Sequence, residues 1–306
     1  MADSLLGISS VWRSKQVVDG GALLDELAAI GCDGIELEYR VRAATLLQMA
    51  PRLGREVRVL SVHAFFPAPD EEGAAGGANA FLLTATERER REEAVRQGVA
   101  TLEAAARVGA AAVVLHLGRV AVEGALVDDF RRLLRAAEPD LAALRAATGT
   151  ILAARRRRSA AHLDAALASL DRLNGEALRR GLLLGIENRF NPHEMPDLEE
   201  TDRLLREFRG GAVRAWHDTG HALFQERIGV APQRDWLEAF GPQTAGAHLH
   251  DIRGLRDHLA PGTGEADFAA ILKQLPAGAL RILELRPETP REEVLAARDL
   301  IRSLGD

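Results

Sequence analysis

Short runs of apolar residues alternate with amphipathic segments along the whole chain. The run at 5–9 precedes an amphipathic segment at 20–30, and the run at 34–38 follows directly, which predicts a strand, a helix and a second strand. Six further apolar runs, separated by segments of helical composition, lie at 57–63, 111–116, 182–188, 213–218, 245–250 and 280–285. Eight strands that alternate with helices predict an α/β protein with a closed parallel (β/α)8 barrel.

The length of the chain also fits one barrel with an extension. Such a barrel typically takes about 250 residues, and this chain has 306. The excess lies after the fourth strand, where about 125–180 is helical by composition. We therefore expect a single domain over 1–306 with an extended helical segment after strand 4, and we interpret the run of arginines at 155–158 as a solvated helix face.

Local signals predict where several helices begin. Thr86 with Glu89, and Asp197 with Glu200, have the spacing of a capping box. Pro290 suits the first position of the last helix. The segment at 67–80 is rich in Gly, Pro and Ala, and we expect it to form a mobile lid.

Composition and charge exclude several classes of protein. The net charge of −6 and the pI near 5.9 disfavour binding to nucleic acid or to an anionic membrane, and no apolar run reaches the roughly 18 residues that a membrane span requires. The single cysteine, Cys32, excludes an internal disulfide, and the first residues lack the pattern of a secretory signal. We expect a cytoplasmic protein, and the sequence leaves its oligomeric state open, a homo-oligomer included.

Potential metal ligands lie at the ends of the last six predicted strands. In a (β/α)8 barrel the carboxyl ends of the strands carry the active site. Any one of these residues alone is more often a hydrogen-bonded structural residue, and an Asp that precedes a helix is more often an N-cap. Agreement among six strand ends favours a metal site instead, formed by His63, His116, Glu187, Asp218 with His221, His248 with His250, and Glu284.

The residue types suggest which ion and which ligand would bind. Carboxylates with one imidazole suit Mn²⁺, Mg²⁺ or Co²⁺, whereas additional histidines favour Zn²⁺. Gly185 and Gly246 stand two positions before Glu187 and His248 on the same strand faces, which predicts free space at the mouth. A phosphate or carboxylate of a substrate could be neutralised by Arg189, Arg256 or Arg286.

Together these residues resemble the xylose isomerase-like barrel superfamily, which includes sugar isomerases and epimerases, inosose dehydratases and the apurinic endonuclease IV class. The resemblance covers essentially the whole chain. It rests on His63, His116, Glu187 in GIEN, Asp218 and His221 in DTGHA, His248 in HLHD, His258 in DHLAPGTGEADF, and Glu284 in ILEL.

The resemblance implies roles for these residues. Glu187, Asp218, His248 and Glu284 would hold one divalent ion (Mn, Mg, Co or Zn), and Glu187 and Glu284 would be the catalytic pair. A second ion (Zn) or the substrate would be bound by His63, His116, His221, His258 and Arg256. The chain departs from the endonuclease class at Arg256, where that class has an Asp ligand, so a full trinuclear cluster is not expected.

Three hypotheses for function follow. The first is a metal-dependent isomerase or epimerase that acts on a sugar or sugar phosphate by proton transfer through a metal-stabilised enediolate. The second is a zinc-dependent phosphodiesterase resembling apurinic endonuclease IV, which the negative charge disfavours because duplex binding needs clustered Lys and Arg. The third is a metal-binding barrel without catalytic activity.

Overall fold

A closed barrel of parallel strands forms the centre of the molecule. The computed structural model describes residues 4–71 and 76–305, and eight strands within these residues form the ring. Each strand pairs with the one before and after it in sequence, and the first pairs with the last, with Leu6 opposite Arg281. The predicted (β/α)8 fold is therefore confirmed. The strands are β1 (Leu6–Ser9), β2 (Gly34–Leu37), β3 (Val59–His63), β4 (Ala112–Leu115), β5 (Leu183–Glu187), β6 (Val213–Asp218), β7 (Thr244–Leu249) and β8 (Leu280–Leu283).

Helices surround this barrel. They are α1 (Gly20–Ala28), α2 (Ala43–Met49), α3 (Arg88–Arg107), α4 (Gly124–Leu134), α5 (Leu141–Arg156), α6 (Ser159–Arg180), α7 (Leu198–Glu207), α8 (Thr219–Ile228), α9 (Gln233–Phe240), α10 (Phe268–Gln274) and α11 (Arg291–Gly305). Short 3₁₀ turns occupy Ser10–Trp12 and Gly241–Gln243. Two antiparallel ribbons lie outside the barrel: Gly118–Arg119 pairs with Glu194–Met195, and Asp251–Arg253 pairs with Arg256–Leu259.

The predicted helix starts have different outcomes. Asp197 and Glu200 form the capping box at the start of α7, as predicted. The capping box predicted for Thr86 and Glu89 is wrong, because α3 begins at Arg88 with Glu87 as its N-cap and has no side-chain cap bond. The guanidinium of Arg91 instead donates to the carbonyls of Ala85 and Thr86. The chain before α3 is thus held by a long side chain and not by a hydroxyl cap.

Arg155 corrects the prediction that residues 155–158 form a solvated helix face. Arg156, Arg157 and Arg158 are exposed, but Arg155 is only 2% exposed. Its guanidinium lies 2.6 Å from Asp197 and 2.5 Å from Glu200, and it also donates to the carbonyl of Glu194. Two carboxylates compensate this buried charge, as burial of a charge requires. Arg155 therefore ties α5 to the first turn of α7 and to the ribbon residue Glu194.

The inserted helices α4 and α5 also pack against the barrel's own elements. An apolar cluster joins them to α8 and to the ribbon at Asp251–Arg253, and its fully buried members are Phe130, Leu144, Ile151, Phe224, Ile228 and Ile252. This cluster lies on the side of the barrel where α8 follows β6. The insertion thus supports the helix that carries His221.

Trp216 fills the interior of the barrel below its mouth. Its indole packs in a buried cluster with Leu60 and Ile282. A Cβ on Gly185 would lie 2.7 Å from this ring, and one on Gly246 would lie 2.5 Å from it. The expectation that these glycines leave free space at the mouth is therefore wrong. They have no side chain because the indole occupies that space.

Two further expectations can be compared with the described residues. No helix within 4–71 and 76–305 is both long enough and apolar enough to cross a bilayer. The predicted lid at 67–80 falls partly outside the described residues, since 72–75 are not among them.

Candidate metal centre at the mouth of the barrel

Four strand ends bring a primary ligand set together. Glu187 ends β5, Asp218 ends β6, His248 lies in β7, and Glu284 directly follows β8. Their ligand atoms all lie within 4.8 Å of one another. The Nδ1 atom of His248 lies 2.8 Å from Glu187 Oε1, 3.2 Å from Glu284 Oε2 and 3.8 Å from Asp218 Oδ2. Three carboxylates thus converge on one imidazole nitrogen.

A second ligand set shares Glu187 with the first. The Oε2 atom of Glu187 lies 2.6 Å from Nε2 of His116 and 3.6 Å from Nε2 of His63. The Nδ1 atom of His63 is 2.9 Å from the carbonyl of Ala64, and the Nδ1 atom of His116 is 3.2 Å from Oδ1 of Asn79. Because Nδ1 donates to these oxygens, each ring presents the lone pair of Nε2 to the site. Glu187 is placed to bridge the two sets.

A third set gathers around Asp218 and contains His221, His250 and His258. The Nε2 atom of His250 lies 2.9 Å from Asp218 Oδ1, and its Nδ1 accepts the backbone N–H of His258 at 2.9 Å. The rings of His250 and His258 are stacked with centroids 3.9 Å apart. Both nitrogens of His250 are thus already bonded, so its present role is to hold Asp218. His221 and His258 are the members that face the site.

Asp218 is an N-cap whose carboxylate also lies in two of the candidate ligand sets. Its Oδ1 accepts the backbone N–H of His221 at 2.7 Å and therefore caps α8. Its carboxylate also belongs to the primary and the third set. An N-cap has extended backbone while the next residues are helical, so the same geometry turns His221 back over the mouth. The His221 ring is held there through Nδ1, 3.1 Å from the carbonyl of Asn188.

Glu36 is a buried site residue that the sequence analysis missed. Its side chain is fully buried in β2, and its Oε2 lies 3.2 Å from Nε2 of His248. The hydroxyl of Ser61 donates to the same oxygen at 2.8 Å. A signal was present in the sequence, because Glu36 lies two positions after Gly34 on the inward face of a strand. The predicted sites were limited to strand ends, and Glu36 lies one layer lower.

The arginines predicted to meet an anion already have protein partners or lie outside the mouth. Arg189 is buried, 3.1 Å from Glu187 and 3.6 Å from Glu194. Arg286 pairs with Asp257 at 2.9 Å. Arg256 is exposed on the ribbon and belongs to none of the three sets; it lines a separate cavity of about 300 Å³.

The charges in the primary set favour a cation. Burial lowers the pKa of His248, but Glu284, Glu36 and Glu187 outweigh it and hold that pKa well above its usual value. Burial raises the pKa of Glu187, yet His116 and His248 hold it well below its usual range. Glu187 therefore keeps its charge and draws positive charge toward Nδ1 of His248. A divalent ion would satisfy the same demand with a donor set of carboxylate oxygens and imidazole nitrogen, which suits Mn²⁺, Co²⁺ or Zn²⁺.

His116 differs from His248 in its electrostatics. Burial, together with the charge of Arg189, lowers the pKa of His116 to about 3. The carboxylate of Glu187 opposes this shift. The neutral imidazole that burial favours is the form that binds a metal. The second set thus has a nitrogen donor that does not require deprotonation.

A cleft beside β2 leads toward the second set. It has a volume of about 610 Å³, and its lining includes Tyr39, Arg40, Lys15 and Arg42. The ring of Tyr39 contacts the ring of His63 edge to face, with centroids 5.3 Å apart. Three cations and the exposed Glu71 line this cleft. The lining of the cleft therefore has an excess of positive charge, and none of its cations was predicted as a site residue.

The profile of the xylose isomerase-like TIM barrel family matches residues 24–304. The chain belongs to this family. The match spans all the ligand sets, and it confirms the family expected from the sequence. No curated protein matches the chain in sequence.

Solved structures share the fold of this family member at low sequence identity. D-psicose 3-epimerase of Clostridium cellulolyticum, solved with D-tagatose, is 13% identical with a TM-score of 0.67, and the alignment covers 99% of each chain. 3-Keto-D-glucoside 4-epimerase YcjR of E. coli is 17% identical with a TM-score of 0.64, over 98% of this chain and 100% of that one. The TTHB071 protein of Thermus thermophilus, solved after soaking with ZnCl₂, is 19% identical with a TM-score of 0.60, over 98% of this chain and 97% of that one.

Proposed function

We propose that this protein is a divalent-metal-dependent sugar isomerase or epimerase. The observation that carries the proposal is the convergence of Glu187, Asp218 and Glu284 on Nδ1 of His248. Two of these carboxylates come from strands β5 and β8, which are not neighbours in the ring, so they approach the site from different sides. The structural neighbours that are named as epimerases support the same class of reaction.

In this mechanism the primary set would hold the ion, and Glu187 and Glu284 would move protons. A bound ion would act as a Lewis acid toward a carbonyl and a hydroxyl oxygen of the sugar. One glutamate removes a proton from the carbon next to the carbonyl, which leaves an enediolate. The other glutamate delivers a proton from the opposite face. His221 and His258 lie at the mouth, where both would hydrogen-bond to substrate: His258 as a donor, and His221 as an acceptor of a substrate hydroxyl through Nε2, because its Nδ1 donates to the carbonyl of Asn188.

A second ion, Zn²⁺, is proposed for the set of His63, His116 and Glu187. Two imidazole nitrogens and one carboxylate oxygen form a donor set typical of zinc, and these atoms lie within 4.8 Å of one another. Glu187 belongs to both sets, with Oε1 toward His248 and Oε2 toward His116. Its proton-transfer role therefore requires the one-ion form, in which Oε2 stays free.

The substrate is proposed to be a sugar that carries an acidic group, such as a phosphate. The part of the sugar away from the primary set would lie in the cleft beside Tyr39, where Lys15, Arg40 and Arg42 provide positive charge. The overall charge of −6 does not favour a nucleic acid partner. We place this small-molecule chemistry in the cytoplasm, in agreement with the single cysteine.

One observation favours a second candidate function, a zinc-dependent phosphodiesterase. Three ligand sets adjoin through Glu187 and Asp218, which is the arrangement expected for a zinc cluster that binds a phosphate ester. Arg256 argues against it, because it lies on the exposed ribbon and supplies no carboxylate to the third set.

Metal analysis followed by a sugar assay tests these functions. The purified protein is analysed for bound metal, reloaded with Mn²⁺, Co²⁺ or Zn²⁺, and incubated in D₂O with ketoses, aldoses and their phosphates. Mass spectrometry then detects deuterium at carbon. Deuterium incorporation with sugar conversion supports the first function. Cleavage of an abasic duplex without exchange would support the phosphodiesterase, and metal binding with neither activity would support a non-catalytic barrel.

A further inference from the structure

We infer that Glu36 is a positioning residue that sets the tautomer and orientation of the metal ligand His248. This inference rests on the proposed metal centre, because it concerns how one of its ligands is held. It assigns a function to a buried carboxylate one layer below the mouth, which the proton-transfer chemistry does not use.

The contacts of Glu36 single out His248. Glu36 lies opposite Ser9 of β1 and Ser61 of β3 in the barrel register. Its Oε2 accepts the hydroxyl of Ser61 at 2.8 Å and faces Nε2 of His248 at 3.2 Å. Within the described residues, Oε1 has no hydrogen-bond partner. A fully buried carboxylate with one unpartnered oxygen costs stability, so its presence in the barrel interior needs a compensating interaction.

The two ring nitrogens of His248 face opposite environments. Nδ1 faces the carboxylates of Glu187, Asp218 and Glu284, whereas Nε2 faces Glu36. An imidazole binds a metal through a lone pair, so ligation through Nδ1 places the proton on Nε2. That N–H is buried, and Oε2 of Glu36 is its acceptor. A carboxylate in this position fixes the tautomer and increases the basicity of the ligating nitrogen.

Ser61 fixes the acceptor itself. Because its hydroxyl donates to the same Oε2, the carboxylate is held in one orientation under the ring. Trp216 contacts the edge of the His248 ring with centroids 5.3 Å apart, and this packing restricts the ring plane. The hydroxyl of Ser61, the carboxylate of Glu36 and the imidazole of His248 thus form a hydrogen-bonded chain, and its last atom is Nδ1 of His248.

Glu38 offers a matched control close to Glu36 in the chain. It lies two positions later, its side chain is also fully buried, and it bonds with Ser14 and Arg40. Glu38→Gln changes a buried carboxylate in the same way as Glu36→Gln without touching His248. The test compares Glu36→Gln, Glu36→Leu, Ser61→Ala and Glu38→Gln with the wild type, each stripped of metal with a chelator and titrated with Co²⁺ or Zn²⁺ by calorimetry.

We expect Glu36→Leu to lose about 10- to 100-fold in metal affinity, the usual effect of removing such a partner. Glu36→Gln keeps an acceptor oxygen and should retain more of the affinity. Glu38→Gln should bind the primary ion as the wild type does, since Glu38 bonds with Ser14 and Arg40 and with no residue of the primary set. Long-range ¹⁵N–¹H spectra of the zinc-loaded protein should show the His248 proton on Nε2 in the wild type. If Glu36 contributed only to the stability of the fold, replacing it would leave the tautomer of His248 unchanged.

Each result supports or overturns the inference. Wild-type metal affinity in Glu36→Leu, or a proton on Nδ1 of His248, would overturn it. If Glu36→Leu failed to fold, an affinity fully equal to that of the wild type in both Glu36→Gln and Ser61→Ala would overturn it instead. A fall in unfolding temperature that is equal with and without metal, at unchanged affinity, would also overturn it. If the wild type bound no divalent ion, both the inference and the proposed function would fail. If it bound metal but converted no sugar, only the proposed function would fail.

Discussion

Gly220 and His250 fit together only because residue 220 has no side chain. A Cβ on Gly220 would lie 2.1 Å from Cε1 of His250 and 2.3 Å from its Nδ1. The His250 ring bonds with Asp218 through Nε2 and accepts the N–H of His258 through Nδ1. The glycine in DTGHA therefore allows His250 to lie against the first turn of α8. Any displacement of this ring would disturb a proposed metal ligand.

Gly220→Ala should lower both stability and metal affinity. Alanine in a helix is normally favoured over glycine by about 0.5–1 kcal/mol, but here the added methyl must displace a buried imidazole, and overpacking costs about 1–3 kcal/mol. Urea unfolding and Co²⁺ titration measure the two effects. Gly149→Ala in α5 is the control, because its Cβ would meet no atom within 4 Å. If Gly220→Ala were as stabilising as Gly149→Ala, the proposed packing role of Gly220 would be wrong.

Glu187→Gln and Glu284→Gln should each reduce exchange of substrate hydrogen with D₂O by at least about 10²-fold, the typical effect of losing a general base. The amide keeps the shape of the side chain and removes its basicity. Mass spectrometry of the recovered sugar measures the exchange. Each variant should be assayed at a metal concentration that saturates it, with Glu38→Gln as the control. If the wild type cleaved an abasic duplex and Glu187→Gln abolished that cleavage, the phosphodiesterase function would be favoured instead.

His221→Ala should lower turnover and leave the primary ion bound. His221 lies 3.9 Å from Oε1 of Glu187 through Nδ1, which already points toward the carbonyl of Asn188. The His221 ring is therefore better placed to contact a substrate or a second ion than to bind the primary ion. The metal content, measured by mass spectrometry, and kcat together distinguish a residue that contacts substrate from a primary metal ligand. Loss of all metal from the variant would make His221 a primary ligand.

The cleft beside Tyr39 should select acidic substrates. Replacing Lys15 and Arg42 by Gln removes two of its cations, and each charge-assisted hydrogen bond contributes about 1.5–3 kcal/mol. We expect KM for a phosphorylated sugar to rise by about 10-fold or more, with little change for the neutral sugar. Arg256→Gln is the control variant, because Arg256 lines the separate cavity of about 300 Å³ beside the ribbon. A larger effect at Arg256 would move the anion site to the ribbon.

Glu194 should make the stability of the protein dependent on acid pH. Burial raises its pKa, but the charge of Arg189 and a hydrogen bond from the backbone of Asn191 lower that pKa to about 2. Because the folded pKa is depressed, the stabilisation is complete above the unfolded value of about 4.5 and is lost as the pH falls through about 2. Urea unfolding of the metal-free protein from pH 7 to pH 2.5 measures it.

Glu194→Gln is the variant that isolates this contribution. The variant should be less stable than the wild type at pH 7 by up to about 3 kcal/mol, at 1.36 kcal/mol for each pKa unit. The difference should narrow below about pH 4.5 as the wild-type carboxylate is protonated on unfolding. A difference that stayed constant with pH would show that Glu194 does not titrate between the folded and unfolded states.

The ring of strands and the clustering of the candidate ligands at one mouth could be predicted because both depend on local pattern. Strands begin and end where apolar runs do, and side chains alternate along them, so Glu187 and His248 had to face one mouth once the barrel closed. Glu36 and Arg155 were missed or misassigned because their roles depend on partners far along the chain. Glu36 meets His248 across 212 positions, and Arg155 meets Glu200 across 45. No pattern within a window of a few residues contains these pairs.

The same separation explains the error about the glycines. Gly185 and Gly246 were interpreted as open positions because the sequence shows the absence of a side chain and not what takes its place. The occupant, Trp216, stands on a different strand, opposite Gly246 in the register. Sequence patterns thus predict which face a residue lies on, but packing in three dimensions decides what meets it there.

The position of Arg155 also determines how far the chain could be shortened. Deleting α4 and α5 would bring the protein nearer to the length of a minimal barrel, but it would leave Asp197 and Glu200 without their buried cation. It would also uncover the apolar side of α8, the helix that presents His221. The insertion is therefore not a detachable module. It is part of the scaffold on which the mouth of the barrel is built.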